Sequence, residues 1–336
     1  MRNLELSCRQ EATAHRLACA PYYALWGFVS RCFGRSRKPH PEPGIPDIKP
    51  PPPRGSADSD GHRAGDGRGS YLGTIHLTST DAHAVLPADY TFIASDKGVH
   101  AFSGGLTLKT SGSRSVTATD TVTASITGSQ TVTVNPGAAK SFTVSTATSW
   151  AAGAGHTVTI TAKDAYGNTA TGYLGTVHLI SSDSAAILPA DCTFVVGDAG
   201  VHKLTVKLKT AGSRSVTATD KTTSSIKGTQ SGITVTPGVA KTFTLVGAVP
   251  WLAGGSHSVT VTARDAYGNV ATGYLGTFHL TSSDSAAILP ADYTFVVGDA
   301  GVHKLTVKLK TVGSQWVRAT DTHTATITGS VTITVS

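Results

Sequence analysis

Asp164, Tyr166, Asn168 and His178 fall in one stretch, DAYGNTATGYLGTVHL (164–179), and the same types return in DAYGNVATGYLGTFHL (265–280). A carboxylate, a carboxamide and an imidazole so close together could serve calcium, zinc or general acid–base chemistry. Each chemistry makes its own demand. Calcium takes roughly six to eight oxygens, and residues 71–336 contain no Glu to bind through both oxygens. Asp164, Asn168, Asp265 and Asn269 are therefore calcium candidates with a plainer rival: an Asp-capped turn in which Gly and Asn tolerate positive φ. Zinc needs three or four converging ligands. His76, His178 and His279 alternate out of phase with apolar neighbours, and His100, His202 and His303 stand at another strand start; both sets read as solvent-facing copies in separate repeats. No Ser lies in a nucleophile-elbow context, and a His and Asp copied into every repeat make a poor catalytic pair. The chain does not read as an enzyme. Its lysines fall on the outward phase, which argues against a Lys–Asn isopeptide bond.

The elements that must carry these residues come in copies. Tyr71, Tyr173 and Tyr274 are equivalent points, flanked by LPADYTF (86–92), LPADCTF (188–194) and LPADYTF (289–295), and later by three runs of the type LKTSGSRSVTATD. A period of about 100 residues means an array of whole domains rather than a solenoid. Within a copy the pattern has period two. In HTVTITAKD (156–164), Val158, Ile160 and Ala162 share one face and three threonines the other, which is the mark of a half-buried strand. The middle copy has seven such runs, at 140–146, 156–163, 175–182, 191–197, 201–209, 213–219 and 231–236. Seven short antiparallel strands in about 100 residues predict an all-β, Ig-like sandwich. The Cys…Trp…Cys core of antibody domains is absent, so the domains are not of that type.

Composition agrees. Of the 336 residues only 15% are charged, and Thr, Ser, Val, Gly and Ala fill the difference, a β-rich, helix-poor composition. Eleven of the 28 Lys+Arg lie in the first 70 residues, and the remainder are spread thinly, so no nucleic-acid patch and no nucleic-acid partner are expected. Cys8, Cys19 and Cys32 lie in that same segment; Cys192 stands alone where the other copies have Tyr90 and Tyr293, so no disulfide framework is expected.

These shifts divide the chain into a non-repetitive, disordered or artefactual N-terminus (1–70), an incomplete repeat (71–136) and two complete domains (137–237 and 238–336). KPHPEPGIPDIKPPPPRG (38–55) reads as an extended tether. LACAPYYALWGFV (17–29) is too short to span a bilayer and is broken by Pro21; as a secretory signal it lacks a clean cleavage site. The incomplete repeat has no counterpart of the strands before DAYGN, so it should expose an open edge, and truncation or a frame shift upstream is the expectation. Its HAFSGGLTL (100–108) carries two extra residues, which keeps Phe102, Leu106 and Leu108 in phase and makes Ser103-Gly104-Gly105 a bulge.

VTITAKDAYGNTATGYLGTVHLISSD, followed by LPADCTFVVGDAGVHKLTVKLKTAGSRSVTATD, resembles the bacterial Ig-like repeats of invasin- and intimin-type surface proteins, also compared with filamin-type repeats. The resemblance covers 137–336 and most of the incomplete repeat. It implies a structural or adhesive spacer of an extracellular or cell-surface bacterial protein, presenting a binding region absent from this chain. Its partners would be neighbouring Ig-like repeats and a host or cell-surface protein or glycan, with no cofactor. The alternative is a glycan-binding or accessory module of a secreted hydrolase, which needs co-planar exposed aromatics. Trp316, on the outward phase where the middle copy has Ser215, is the one aromatic so placed and the candidate contact residue. Trp150 and Trp251 are expected to pack on the preceding domain or linker.

Overall fold

The computed structural model describes residues 71–247 and 249–336, together with the backbone of Leu4–Ser7, Ala20–Ala24 and Gly27–Arg31. The chain falls into two units, Met1–Pro136 and Gly137–Ser336. The second unit holds both complete repeats. In the middle one, Ser149–Ala151, Lys227–Thr236, Gly212–Asp220, Thr176–Ser181 and Cys192–Thr193 form one sheet in that order, and Val201–Lys207, Gly155–Lys163 and Ser141–Ser145 form the other. Alternate residues point inward: Val158, Ile160 and Ala162 from one sheet meet Val177, Leu179, Val216, Ala218 and Ile233 from the other. The third repeat repeats the plan with Thr242–Gly247, His257–Arg264 and Val302–Val307 facing Tyr293–Thr294, Thr277–Ser282, Gly313–Asp321 and Thr328–Val335. Each repeat is an Ig-like β-sandwich.

The strand expectations hold with two differences. Ser149–Ala151 is an additional strand, pairing in parallel with the end of Lys227–Thr236; three residues are too few to show a period. The run 191–197 shortens to Cys192–Thr193 followed by a 3-10 turn at Val196–Asp198. There the Asp198 carboxylate accepts the Val195 amide at 2.8 Å, and the turn leaves Val196 exposed. Valine content suggested a strand; the Gly-Asp pair decided against it.

Ser149–Ala151 also relocates the tryptophans. Trp150 and Trp251 are not linker contacts but fully buried core residues of their own repeats. Each lies flat on a histidine, His156 and His257 respectively, at centroid distances of 4.4 and 4.6 Å. The Trp150 indole N–H donates to the Ala147 carbonyl at 2.7 Å.

In the first unit, Thr74–Ser79, Gly112–Asp120 and Thr127–Val134 reproduce the larger sheet. Phe102, Leu106 and Leu108 pack on its core as the phase argument requires. Ser103–Gly105 is not a bulge, however. The strand Val99–Phe102 ends there, with Gly104 at φ 75°, and pairing resumes only at a Val85–Thr107 bridge. The edge expected to be open is also occupied. Leu4–Ser7 pairs antiparallel with Val99–Phe102, and Gly27–Arg31 and Ala20–Ala24 extend the sheet. Unpaired strand N–H and C=O groups accept any extended segment in reach, so part of the N-terminus takes the place of the repeat strands that are missing. The proline-rich tether and the rest of 1–70 lie outside the described residues.

Each repeat buries aspartates that are met by hydrogen-bond donors. At the end of Gly212–Asp220, Asp220 accepts the Tyr173 hydroxyl on one oxygen and the Thr222 and Thr223 amides on the other. Tyr71–Asp120 and Tyr274–Asp321 repeat the pair. This explains the recurring YLGT. A Cβ on Gly175 would fall 2.4 Å from both Asp220 Oδ2 and Tyr173 Oη, whereas one on Gly172 meets nothing within 4 Å. We therefore expect Gly175→Ala to destabilise the domain by about 2 kcal/mol or more, as overpacking does, with Gly172→Ala near neutral. Urea unfolding of the two variants measures the contrast; equal effects would refute the steric account.

Candidate functional site

The DAYGN block follows directly on a core strand, and in the third repeat it reaches the preceding domain. His257–Arg264 ends at Asp265, whose buried carboxylate takes four N–H donors. Oδ1 accepts the amides of Tyr267 and Asn269, at 2.8 and 2.9 Å. Oδ2 accepts the amide of Gly238 in the linker and the Asn269 carboxamide, both at 2.8 Å. A carboxylate offers about four lone-pair sites, so Asp265 is saturated. It ties the turn to the linker in a single residue.

Asn269 carries the contact onward. Its Nδ2 donates to the Lys209 carbonyl at 2.7 Å, and its Oδ1 accepts the Ala211 amide at 2.8 Å. Both partners belong to the middle repeat, in the loop between Val201–Lys207 and Gly212–Asp220. Tyr267 completes the seat. Its hydroxyl lies where a side chain at Gly153 would point, 2.0 Å from a Cβ built there, and the Lys209 ammonium sits 5.8 Å from its ring centroid, within cation–π reach. Gly153 has φ 77°, so backbone conformation and the tyrosine both require glycine there.

The receiving loop is itself held. Asp183 accepts the Lys209 and Thr210 amides at 2.6 and 2.9 Å and the Thr210 hydroxyl at 2.6 Å. From outside, Arg214 donates to the carbonyls of Thr210 and Ala211 at 2.9 and 2.7 Å. Two hydrogen-bonded loops therefore meet through the Asn269 carboxamide and the Tyr267 ring.

Of the calcium candidates, Asp164 and Asn168 repeat the arrangement within their own turn. Asp164 accepts the amides of Tyr166, Asn168 and Gly137 and the Asn168 carboxamide, at 2.8 to 2.9 Å. A cation at either turn would have to displace those donors. Among the described residues no group of three or more His, Cys, Asp or Glu is placed to hold a metal ion. Burial alone would push the Asp265 carboxyl up; the Asn269 side chain and the Gly238, Tyr267 and Asn269 amides outweigh it and hold the group below its ordinary range. Asp164 follows the same balance. At Asp284 the Thr311 amide is the leading cause, and the carboxyl falls to about 2.

The other singled-out residues are placed as follows. His76, His178 and His279 are exposed, as expected, each 2.6 Å from the carboxylate of Asp89, Asp191 or Asp292. His100, His202 and His303 are half-buried instead of solvent-facing. His100 and His303 stack on Tyr90 and Tyr293 at 3.4 Å, and His202, beside the smaller Cys192, tilts on Phe194 at 5.4 Å. Trp316 keeps the outward phase but is half-buried, because the Arg318 guanidinium lies over its ring at 5.0 Å. It is not the bare platform expected. Sequence reading missed Lys209, Ala211 and Gly153 as the receiving surface, although LKT-x-G and a glycine in the small-residue run recur in both complete copies.

No protein-family model matches the sequence, and no curated protein matches it. Among solved structures the chain is similar to FdeC, an Escherichia coli adhesin, at 21% identity over 80% of this chain and 87% of that one, with a TM-score of 0.34. Invasin, a bacterial integrin-binding protein, is similar at 18% over 80% of this chain and 54% of that one, TM-score 0.32. A glycosyl hydrolase family 2 member from Bacteroides cellulosilyticus follows at 13% over 55% and 23%, TM-score 0.27. The chain thus spans about half of invasin and under a quarter of the hydrolase. Likenesses this remote leave function to be read from the chain's own geometry.

The depressed carboxyls set the acid response. Their folded pKa values lie below the unfolded value near ~3.9, so the unfolded chain binds more protons in acid. The stability they contribute is fully present above about pH 5 and is lost as pH falls toward about 2. Thermal melting at a series of pH values should show Tm level near neutrality and falling below about pH 4. A Tm at pH 3 equal to that at pH 6 would contradict the assignment.

Proposed function

We propose that this chain is a structural spacer of an extracellular or cell-surface bacterial protein, in which Ig-like domains are held at a fixed angle to present a binding region elsewhere. The observation that carries it is the Asp265–Asn269 junction. A linker of a few residues, pinned at Gly238, and a carboxamide bonded to both a carbonyl and an amide of the neighbouring repeat remove the freedom of a hinge. Interfaces within a chain otherwise default to relative motion. The chain also offers what a spacer needs outside: threonine-lined strand faces with cross-strand hydroxyl contacts such as Thr217–Thr229 at 2.8 Å, which stay wetted without strong charge.

Turnover has little support in this reading, since the aspartates that look catalytic are saturated by backbone donors. The glycan-module alternative is weaker too, because its single outward aromatic is covered by Arg318. No helix among the described residues is long and apolar enough to cross a membrane.

Asn269→Ala separates spacing from folding. Three hydrogen bonds of about 1 kcal/mol each are lost, two to the middle repeat and one to Asp265; Asp265 keeps its three amide donors, so both repeats should still fold, while the distance distribution between labels on the middle and third repeats broadens. An unchanged, narrow distribution in Asn269→Ala would refute the junction as the source of stiffness. A broad distribution already in the unsubstituted chain would refute the spacer itself.

A further inference from the structure

The loop that receives Asn269 has a second copy. At the far end of the third repeat, Lys310, Thr311 and Val312 correspond to Lys209, Thr210 and Ala211. They are built the same way. Asp284 accepts the Lys310 and Thr311 amides at 2.5 and 2.9 Å and the Thr311 hydroxyl at 2.7 Å, matching Asp183 within a tenth of an ångström at each bond. The Gly254 amide donates to Leu309 at 2.7 Å, as the Gly153 amide does to Leu208. The receiving geometry of the middle repeat is therefore already formed in the third, before anything is seated on it.

The difference lies in what covers it. Lys209, Thr210 and Ala211 are half-buried by the neighbouring turn, while Lys310, Thr311 and Val312 are all exposed, Val312 to 66%. A Cβ at Gly153 collides with the Tyr267 hydroxyl, whereas one at Gly254 meets nothing within 4 Å. Gly254 nevertheless keeps the positive φ of Gly153, 74° against 77°. No hydrogen bond among the described residues occupies the Val312 amide or the Lys310 carbonyl. Over 310–316 the copies differ at three positions, Val312 for Ala211, Gln315 for Arg214 and Trp316 for Ser215; Gln315 stands where Arg214 braces the loop and donates to the Thr311 carbonyl at 3.4 Å, so the seat is held chiefly by Asp284.

We propose that the 310–312 loop with Gly254 is a docking seat for the Asp-Ala-Tyr-Gly-Asn turn of a further copy of this repeat. The incoming asparagine would donate to the Lys310 carbonyl and accept the Val312 amide, and its tyrosine would lie on Gly254. The occupant is fixed by continuity with the junction one repeat earlier, where these groups hold such a turn. The inference rests on the spacer reading and extends it: each complete repeat carries a plug at one end and a seat at the other, so a stack can grow by one copy without new chemistry.

The test is to extend the full chain by one more copy of residues 237–336 and follow single-amide hydrogen exchange. In the unextended chain, the Ala211 amide should be protected and the Val312 amide should exchange as an open loop. Extension should slow Val312 roughly tenfold or more, as a bonded junction amide is slowed, and Asn269→Ala in the added copy should abolish that slowing. Unchanged Val312 with Ala211 still protected would overturn the seat and leave the spacer intact. Unprotected Ala211 in the unextended chain would overturn the spacer reading itself. Melting of the added copy, followed separately, confirms that it is folded in both versions, so loss of protection reports docking rather than unfolding.

Discussion

A buried carboxylate with no cation beside it is the constraint around which each repeat is arranged. Taking such a charge out of water is costly unless hydrogen bonds replace the lost solvation. Here each acid is met by donors from two separate parts of the chain. Asp265 joins a turn to the linker, Asp284 joins the end of one strand to a loop 26 residues on, and Asp321 joins a tyrosine to a hairpin. Because each carboxylate needs all its donors at once, those parts cannot drift independently. The apolar core supplies the larger share of stability; the acids fix which loop lies against which strand.

That fixity makes a contact between domains useful. A single carboxamide is a weak clasp, worth about a pair of ordinary hydrogen bonds across the junction. Its effect depends on both sides being rigid. The donor side is held by Asp265 and the acceptor side by Asp183 and Arg214, so little ordering remains to oppose the contact when it forms. The same bonds between two mobile loops would be offset by the entropy of ordering them. On the proposed spacer reading, stiffness in the second unit would come from the interiors of the two sandwiches rather than from a large interface.

Much of the sandwich was legible in the sequence because burial on one face of a strand leaves a period of two. Val158, Ile160 and Ala162 could be assigned to the core from their spacing alone, and all three are fully buried. Where the period has no room to show, reading failed: three residues around Trp150 form a strand, and the valines before Asp198 enter a turn. The candidate site was half legible. DAYGN could be read as a turn from its own chemistry, since Asp, Gly and Asn act on nearby backbone. Its seat could not, because Lys209 and Ala211 contribute only backbone atoms, and a carbonyl or an amide leaves no residue type behind. The filled edge of the first unit escaped for a related reason: pairing to a strand edge asks for extended backbone and little else.

The choice of asparagine at position 269 follows from what the seat presents. It offers one acceptor, the Lys209 carbonyl, and one donor, the Ala211 amide, two residues apart in a loop held by Asp183 and Arg214. A carboxamide carries one of each on a short, stiff side chain. Aspartate would set a negative oxygen against the carbonyl, and would do so beside the buried charge of Asp265. Glutamine has the right groups one methylene too far out, with more rotamer freedom to lose. Serine offers both functions on a single atom and cannot span them. Asn269 also spends its second Nδ2 hydrogen on Asp265, so the residue that reaches the neighbour is oriented by the same carboxylate that holds the linker. Turn, linker and junction are therefore one hydrogen-bonded unit, which is why the block returns whole in each complete copy.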